Sequence, residues 1–430
     1  MGKENLRGLS LDVVMEVLEK GGFSNRVLGN VLSKYQYLEK NERSFVTRLS
    51  LGTIENALLL DEVLNTYSKT KVRKMKPVIR NILRLSVYQI YFMDSVPESA
   101  VVNEAVKLSK KRGMAGLSGF VNGILRSILR EEKPITEFAT DLSKKYSCPE
   151  WLIKLWEQDY GKEKLEEILL GFEGKGDITI RVNLTKNSPN ELKSILEQEN
   201  LTVQPTNIPY GFRVFGIDYL EKLTSFKEGR FYVQDLSSMQ VAQRADIKGG
   251  EKILDVCAAP GGKSLHMAEI LGVANNGGLV EARDLSEEKV SIINENIKRS
   301  GLTNISAKVW DATKFDEDAK EQYDVVVCDL PCSGLGVLGK KPEIKYRVKE
   351  EDIASLAKLQ RDILTNGKDY VKDGGRLIFS TCTVNKTEND DNTKWFLDHF
   401  SEYTLLSEEQ IFPKKNEMDG FYIAVFEKHE

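Results

Sequence analysis

The chain has 430 residues, of which 41% are hydrophobic, and a formal net charge of −4 from 61 basic and 65 acidic residues. This length allows two to four domains, and the apolar content excludes a disordered or fibrous chain. No stretch approaches the roughly 20 apolar residues of a membrane span, and the amino-terminal residues lack the apolar core of a signal peptide. The five cysteines, an odd and thinly spread number, predict free thiols in a cytoplasmic protein.

The charge is distributed unevenly along the chain. Residues 1–150 carry a net charge of +7, and residues 151–430 carry a net charge of −11. Within the first part, the runs 63–93 and 105–130 contain seven and six basic residues and no acidic residue. This asymmetry is typical of a basic nucleic-acid-binding part joined to an acidic enzyme body, although basic residues on exposed helix faces would give the same pattern.

The first 135 residues are predicted to form an all-α domain. Pro77 suits the first turn of a helix, and a broad apolar stripe follows it. A later helix is predicted to stop at Gly113. Arg80 and Arg84 lie four residues apart, so they share one face of their helix.

A linker is predicted at residues 131–149, and a small α+β module at residues 150–235. The module begins with a helical segment. An alternating strand is predicted at 178–184, and short strands are predicted near Phe212 and Phe231.

Residues 236–430 alternate between short apolar runs and helical stretches. The apolar runs are KILDV, GLVEA, ISAKVW, YDVVVC and RLIFST. This alternation predicts a doubly wound α/β domain with a mostly parallel sheet. Ligands of such sheets bind outside the carboxyl ends of the strands, so the residues that follow each run form the candidate site.

The turn DVCAAPGGKS follows the first of these strands and leads into a helix. Such a turn brings a ligand to the N–H groups of a helix amino terminus. It is neither a Walker A motif, whose first glycine is replaced by Cys257, nor a GxGxxG motif. Asp284 follows the second strand and is placed to bind a ribose diol, and Asp311 follows the third and is placed to bind an adenine amine. Each aspartate alone would also suit a helix cap, but together with the turn they favour a nucleoside ligand such as S-adenosylmethionine.

Two cysteines follow the fourth and fifth strands, Cys332 in DLPCSG and Cys382 in STCT. No metal site is predicted, since the sequence has no CxxC and its three histidines are scattered. The cysteines are therefore either small buried side chains or nucleophiles.

Methylation of a pyrimidine would explain two such thiols. A thiolate that adds to carbon 6 of cytosine makes carbon 5 nucleophilic enough to take a methyl group from a sulfonium. A carboxylic acid at ring nitrogen 3 would stabilise the developing charge, and Asp329 is the candidate. Lys263 is a neighbouring cation that would favour the thiolate.

Three motifs closely resemble those of the NOL/NOP2/Sun superfamily of RNA cytosine-5 methyltransferases, namely DVCAAPGGKS, DLPCSGLG and STCTVNKTEN. The first 130 or so residues resemble the NusB-type helical RNA-binding domain. The whole chain is similar to the bacterial small-subunit (16S) ribosomal RNA methyltransferase B family (RsmB/Fmu/Sun). This resemblance implies a Rossmann-like domain that uses S-adenosylmethionine to methylate carbon 5 of one 16S rRNA cytosine, cytosine 967. Nothing in the sequence demands more than a monomer.

The resemblance also implies roles for individual residues. Cys382 would be the nucleophile and Cys332 the residue needed for product release, an order that spacing alone does not give. Arg181-Val182-Asn183 and Gln234-Asp235 match recurrent segments for which no role is implied. The implied cofactor contacts are Cys257, Ala258, Ala259, Pro260, Gly261, Gly262, Lys263, Asp284, Asp311 and Asp329.

Three positions depart from the family pattern. Leu330 stands where alanine is usual, and Tyr346 stands where tryptophan is common. Glu281 is a rival ribose acceptor if the strand register is shifted.

Two alternatives come from other functional classes. A P-loop-like nucleotide hydrolase would bind a triphosphate and Mg²⁺ at Lys263. A non-catalytic RNA-binding factor would retain a methyltransferase body without its activity. The presence of both cysteines together with three strand-end aspartates argues against the second.

Overall fold

A computed structural model describes residues 5–174 and 178–429 of the chain. The chain divides into two compact units. The first comprises Met1–Leu165 and Lys341–Val348, and the second comprises Glu166–Lys340 and Lys349–Glu430. Within the described ranges, no helix combines the length and the apolar character needed to cross a bilayer. The domain boundaries predicted from the sequence are not tested by this division and stay predictions.

The first unit is helical, as the sequence predicts. Helix α5 begins at Pro77, and Gly113 lies two residues beyond the end of α6 with a φ of 75°. Aliphatic side chains from most of these helices form one core. The helices are α1 (Leu6–Lys20), α2 (Ser24–Lys34), α3 (Lys40–Glu55), α4 (Ala57–Tyr67), α5 (Pro77–Phe92), α6 (Glu98–Lys111), α7 (Ser118–Glu131) and α8 (Leu142–Lys145), and α9 (Glu150–Gly171) continues into the second unit.

Arg80 and Arg84 share one face of α5, but that face is turned into the unit. The guanidinium of Arg84 donates to both carboxylate oxygens of Asp61, at 2.7 and 2.6 Å, and Arg80 Nε donates to Glu19 Oε1 at 2.7 Å. Such charge-assisted bonds fix the packing of α1, α4 and α5. The exposed basic residues of the first acid-free run are Lys69, Lys71, Arg73, Lys74 and Lys76.

The segment predicted as a linker, residues 131–149, packs onto the helical unit. It contains a short 3-10 helix and α8. Phe138 and Cys148 are buried, and Ser147 Oγ accepts the N–H of Leu58 at 2.9 Å. The buried apolar side chains explain the difference, because a free linker would leave them in water.

Residues 341–348 also belong to the helical unit, although they follow the Cys332 loop in sequence. Glu343 is fully buried, and its carboxylate accepts the N–H of Ser24 at 2.9 Å. The Glu55 carbonyl accepts hydrogen bonds from Lys345 Nζ and from the Tyr346 hydroxyl, each at 2.8 Å. Tyr346, which replaces the common tryptophan, thus contributes a polar contact through its hydroxyl.

A small antiparallel sheet opens the second unit, with the strand order β2-β3-β1-β4. One of its faces packs apolar side chains such as Ile180 and Phe212 against Leu192 and Leu196 of a helix. The predicted strands are present, together with β2, which the sequence did not indicate. The elements are β1 (Ile178–Val182), α10 (Pro189–Gln198), β2 (Thr202–Pro205), β3 (Gly211–Phe215), α11 (Thr224–Lys227) and β4 (Phe231–Val233).

A seven-stranded sheet forms the remainder of the second unit, with the order β10-β11-β9-β8-β5-β6-β7. Strands β5 to β9 are parallel, and β11 runs antiparallel between β9 and β10. All five predicted strands are present, and β10 and β11 are additional. The strands are β5 (Lys252–Asp255), β6 (Leu279–Asp284), β7 (Ile305–Val309), β8 (Tyr323–Asp329), β9 (Val371–Thr381), β10 (Tyr403–Ile411) and β11 (Phe421–Lys428). The helices are α12 (Leu236–Arg244), α13 (Gly262–Ala274), α14 (Glu287–Ser300), α15 (Ile344–Arg347, within the first unit), α16 (Glu350–Asp369) and α17 (Asp390–His399).

Candidate active site

The turn between β5 and α13 is held against the end of β6. Ala258 N donates to the carbonyl of Arg283 at 2.8 Å, and Ala259 N donates to Asp284 Oδ2 at 2.9 Å. Gly261 precedes α13 with a φ of 102°, a conformation that strains any side chain. No side chain in the described part of the chain caps α13, so its amino terminus is open to an anionic group.

Asp284 is the last residue of β6 and faces this turn. Besides the N–H of Ala259, its carboxylate accepts the N–H of Leu285 at 2.7 Å and pairs with Lys289 Nζ at 2.9 Å. These contacts fix the carboxylate beside the turn, where the sequence placed a ribose acceptor.

Glu281, the rival acceptor, lies three residues before the end of β6. Its carboxylate is bound by Arg283 Nε at 2.6 Å and by the Tyr323 hydroxyl at 2.9 Å. The register of β6 therefore places Asp284, and not Glu281, at the carboxyl end of the strand.

Asp311 lies just beyond β7, next to the end of β6. The N–H of Trp310 donates to the Asp284 carbonyl at 2.9 Å, which joins the two strand ends. Asp311 Oδ1 accepts the hydroxyl and the N–H of Thr313, at 2.7 and 3.0 Å. These two bonds lower the pKa of Asp311, so its carboxylate is ionised at neutral pH.

The two cysteines predicted to carry chemistry meet at the carboxyl ends of β8 and β9. Their Sγ atoms are 3.4 Å apart, and both side chains are half-buried. The bond to Cys382 and then burial raise the pKa of Cys332 well above that of an ordinary thiol. Cys332 is therefore a neutral thiol, and either sulfur can be the donor in the contact between them.

Lys263 and Asp329 form an ion pair beside these thiols. Lys263 Nζ lies 2.7 Å from Asp329 Oδ2, and Ser380 Oγ donates to Asp329 Oδ1 at 2.8 Å. Burial is the largest single influence and lowers the pKa of Lys263, but the charge and hydrogen bond of Asp329, together with Asp255 and Cys382, outweigh burial and raise that pKa. That attraction is mutual, so the ammonium stabilises a thiolate at Cys382. The P-loop-like alternative gains no support, because it needs a lysine that is free to bind a triphosphate and Lys263 is paired with Asp329.

Asp255, the last residue of β5, is a buried acid that was not predicted as a site residue. Its Oδ2 accepts the Ser264 hydroxyl at 2.6 Å, and its Oδ1 has no hydrogen-bond partner within the described ranges. Burial raises the pKa of Asp255 to about 7. Its position at the end of β5, directly before the turn, could have marked Asp255 as a site residue from the sequence.

Beneath the Cys332 loop lies a buried network centred on Glu388, which was also not predicted. Its carboxylate accepts the N–H of Ser333 at 2.9 Å, Gln360 Nε2 at 2.9 Å, Asn385 Nδ2 at 2.7 Å and the Ser333 hydroxyl. The hydroxyls of Ser333 and Thr383 are 2.7 Å apart, which links the residues that follow the two cysteines. The only sequence signal for this network was the polar composition of the motif STCTVNKTEN. In the structure most of this motif is buried.

Comparison with known families gives three matches along the chain. Residues 242–427 match the family described as 16S rRNA methyltransferase RsmB/F. Residues 4–130 match the NusB family, and residues 148–215 match the ferredoxin-like domain of RsmF/B-like methyltransferases. Together they confirm the predicted fold class, which is a NusB-like helical domain, a small α+β module and a Rossmann-like methyltransferase domain.

Relatives of the same length are similar to the whole chain. A probable ribosomal RNA small subunit methyltransferase B from Bacillus subtilis is 37% identical, over 96% of this chain and 93% of that protein. One from Synechocystis is 32% identical, over 98% of this chain and 99% of that protein.

Two solved structures show the same fold. The crystal structure of PH0851 has a TM-score of 0.84 and 26% identity, and covers 99% of both chains. The crystal structure of NSun6 from Pyrococcus horikoshii with SFG has a TM-score of 0.59 and 23% identity, and covers 66% of this chain and 98% of that one.

Proposed function

This chain belongs to the 16S rRNA methyltransferase RsmB/F family, and from that premise we propose that it methylates carbon 5 of a single cytosine in 16S rRNA, in the cytoplasm and as a monomer. The observation that carries the proposal is the pair of sulfur atoms 3.4 Å apart, beside the Lys263–Asp329 ion pair. By resemblance, the target is cytosine 967. An unstacked loop cytosine suits this reaction, because the base must leave its stack to reach Cys382.

The family depends on S-adenosylmethionine, and the residues at the strand ends fit that cofactor. The open amino terminus of α13 suits its carboxylate, Asp284 its ribose hydroxyls and Asp311 its adenine amine. The cofactor supplies an electrophilic methyl group on a positively charged sulfur.

Cys382 is the proposed nucleophile. Its thiolate forms a bond to carbon 6 of the cytosine, and the electrons of the 5,6 double bond make carbon 5 nucleophilic. The raised pKa of Lys263 keeps the proton on its ammonium. We therefore propose that Lys263 Nζ, held by Asp329, donates a hydrogen bond to the charge that develops at ring nitrogen 3, in place of a carboxylic acid at Asp329.

Cys332 is proposed to act in product release. The bond to Cys382 and then burial raise the pKa of Cys332, and the first of these causes is removed once the Cys382 sulfur is bonded to carbon 6. After its own proton has passed to solvent, the Cys332 thiolate takes the proton from the methylated carbon 5. The electrons of that C–H bond restore the 5,6 double bond, and Cys382 leaves as a thiolate.

Methylation of an unmodified 16S rRNA transcript tests the proposed function. With labelled S-adenosylmethionine, we expect 5-methylcytidine at one position, identified by nucleoside mass spectrometry and mapped by bisulfite sequencing. The matched control is a transcript in which uridine replaces cytosine 967, which should take up no label. Methylation at a ring or exocyclic nitrogen would contradict the chemistry, and equal labelling of the uridine transcript would contradict the target.

The exposed lysines of the helical unit are proposed to bind rRNA phosphates. Changing Lys69, Lys71, Lys74 and Lys76 to Glu should weaken binding to 16S rRNA at least about 10-fold. The slope of log affinity against log salt should also become shallower, by about one unit for each phosphate that the variant no longer binds, while cofactor affinity stays unchanged.

The matched control for this prediction changes two exposed lysines of the second unit, Lys358 and Lys394, to Glu. Binding curves over a range of salt concentrations provide the measurement. An RNA affinity and salt slope equal to those of the unmodified protein would show that the basic run is only a solvated surface.

A further inference from the structure

We propose that the small α+β module holds the cofactor-binding turn in shape, and that Tyr232 and Arg181 are positioning residues for S-adenosylmethionine. The proposal rests on the proposed cofactor site at residues 257–263. It assigns a role to the motif Arg181-Val182-Asn183, for which neither the sequence nor the proposed chemistry supplied one.

Tyr232 of β4 supports the turn at Pro260. Its hydroxyl donates to the Pro260 carbonyl at 3.3 Å, and Asn296 Nδ2 of α14 donates to the same oxygen at 2.9 Å. Tyr232 also packs so closely on Gly262 that a Cβ there would lie 3.0 Å from its Cε1 atom. The turn is therefore held between the module and α14.

Arg181 of β1 supports the same turn two residues later. It is the cross-strand partner of Tyr232 and is fully buried. Its Nη1 donates to the Gly262 carbonyl at 2.9 Å, and its Nε and Nη2 bind the two carboxylate oxygens of Glu269 at 3.0 and 2.9 Å. Since Gly262 and Glu269 both lie in α13, this fork sets the position of that helix against the module.

The two carbonyls held by the module flank the residues that would meet the cofactor. A peptide group is planar, so a fixed carbonyl also fixes the direction of the next N–H group. Binding the Pro260 carbonyl fixes the peptide group whose N–H, on Gly261, donates to the Ala258 carbonyl at 2.6 Å and closes the turn. Binding the Gly262 carbonyl orients the N–H of Lys263 at the start of α13. Asp284 of β6 also accepts the N–H of Ala259. Side chains therefore hold one backbone group each of Ala259, Pro260 and Gly262.

Calorimetric titration with S-adenosylmethionine tests the proposal. Tyr232→Phe should weaken cofactor binding about 3- to 10-fold, and Tyr232→Phe with Asn296→Leu should weaken it further, because each loses a hydrogen bond that orients the turn. The KM for the cofactor should rise while kcat at saturating cofactor and the affinity for rRNA stay near their original values. Arg230→Met is the matched control, since Arg230 lies in the same module and pairs with Glu228 instead.

A single substitution of Arg181 would leave the buried Glu269 carboxylate unpaired, so the test of Arg181 uses a double variant. Changing Arg181 and Glu269 together to Met replaces a buried ion pair with apolar side chains of similar size, which proteins tolerate. Because the Gln234 amide oxygen and the Gly262 carbonyl also lose a donor, this double variant should melt cooperatively at a somewhat lower temperature and bind the cofactor at least about 10-fold more weakly.

An unchanged cofactor affinity in these variants, with or without a lower melting temperature, would overturn the proposal. Loss of rRNA binding instead of cofactor binding would also overturn it, because the module would then be an RNA-contact surface. If the methylation product proves wrong while these variants still weaken cofactor binding, the proposed function fails and this inference stands.

Discussion

A Cys382→Ala variant is expected to lose methyl transfer to 16S rRNA, with kcat lower by about 10⁴-fold or more. Without the Cys382 thiolate, carbon 5 of the cytosine stays too electron-poor to take the methyl group. Cys332→Ala should behave differently, because Cys382 can still add to carbon 6. It should accumulate a protein–RNA adduct that survives denaturing electrophoresis.

These two variants distinguish the roles of the cysteines. Cys148→Ala is the matched control, since Cys148 is a buried thiol of the helical unit, and it should keep turnover and form no adduct. An adduct in Cys382→Ala would reverse the two roles. Normal turnover in both variants would contradict the covalent mechanism.

Glu388→Ala is expected to lower the free energy of unfolding by about 1–3 kcal/mol, the scale on which a buried donor that loses its acceptor acts. Four donors lose their acceptor in this variant, including the N–H and hydroxyl of Ser333, the residue after Cys332. The urea midpoint should therefore fall, and turnover should fall in the protein that remains folded.

Two further variants make the Glu388 prediction specific. Glu388→Gln keeps one carbonyl acceptor and should show a smaller loss. Glu295→Ala, on the exposed face of α14, should change stability by no more than about 0.5 kcal/mol. A loss below about 1 kcal/mol for Glu388→Ala would mean that the network does not stabilise the fold.

Most of the large sheet could be predicted, because its strands and helices are each marked by a hydrophobic pattern within a short stretch of sequence. Short apolar runs that alternate with amphipathic helices leave few arrangements other than a parallel, doubly wound sheet. The antiparallel strands β10 and β11 were not predicted. β10 is largely exposed and its polar residues look like a loop, whereas the buried apolar run FYIAVF of β11 carried a strand signal that was missed. The packing of residues 131–149 onto the helical unit was not predicted, because the burial of Phe138 depends on distant helices.

In the candidate site, the sequence located residues at strand ends but not the bonds between them. The parallel topology alone brings Cys332 and Cys382 together, so their meeting was predictable. The Lys263–Asp329 pair and the buried Glu388 were not, because both depend on side-chain directions that tertiary packing sets. The same holds for Arg80 and Arg84. Helical periodicity predicts that they share a face, but it does not predict that this face is turned into the unit.

The assignment of residues 341–348 to the helical unit bears on how this protein could have evolved. A NusB-like domain gained or lost by recombination at residue 165 would leave this segment in the gene of the enzyme. Glu343, Lys345 and Tyr346 would then lose the backbone groups that they bind in α2 and α3. Exchange of the domain between proteins therefore requires compensating changes in a segment that begins 176 residues after Leu165, which favours inheritance of the two parts together.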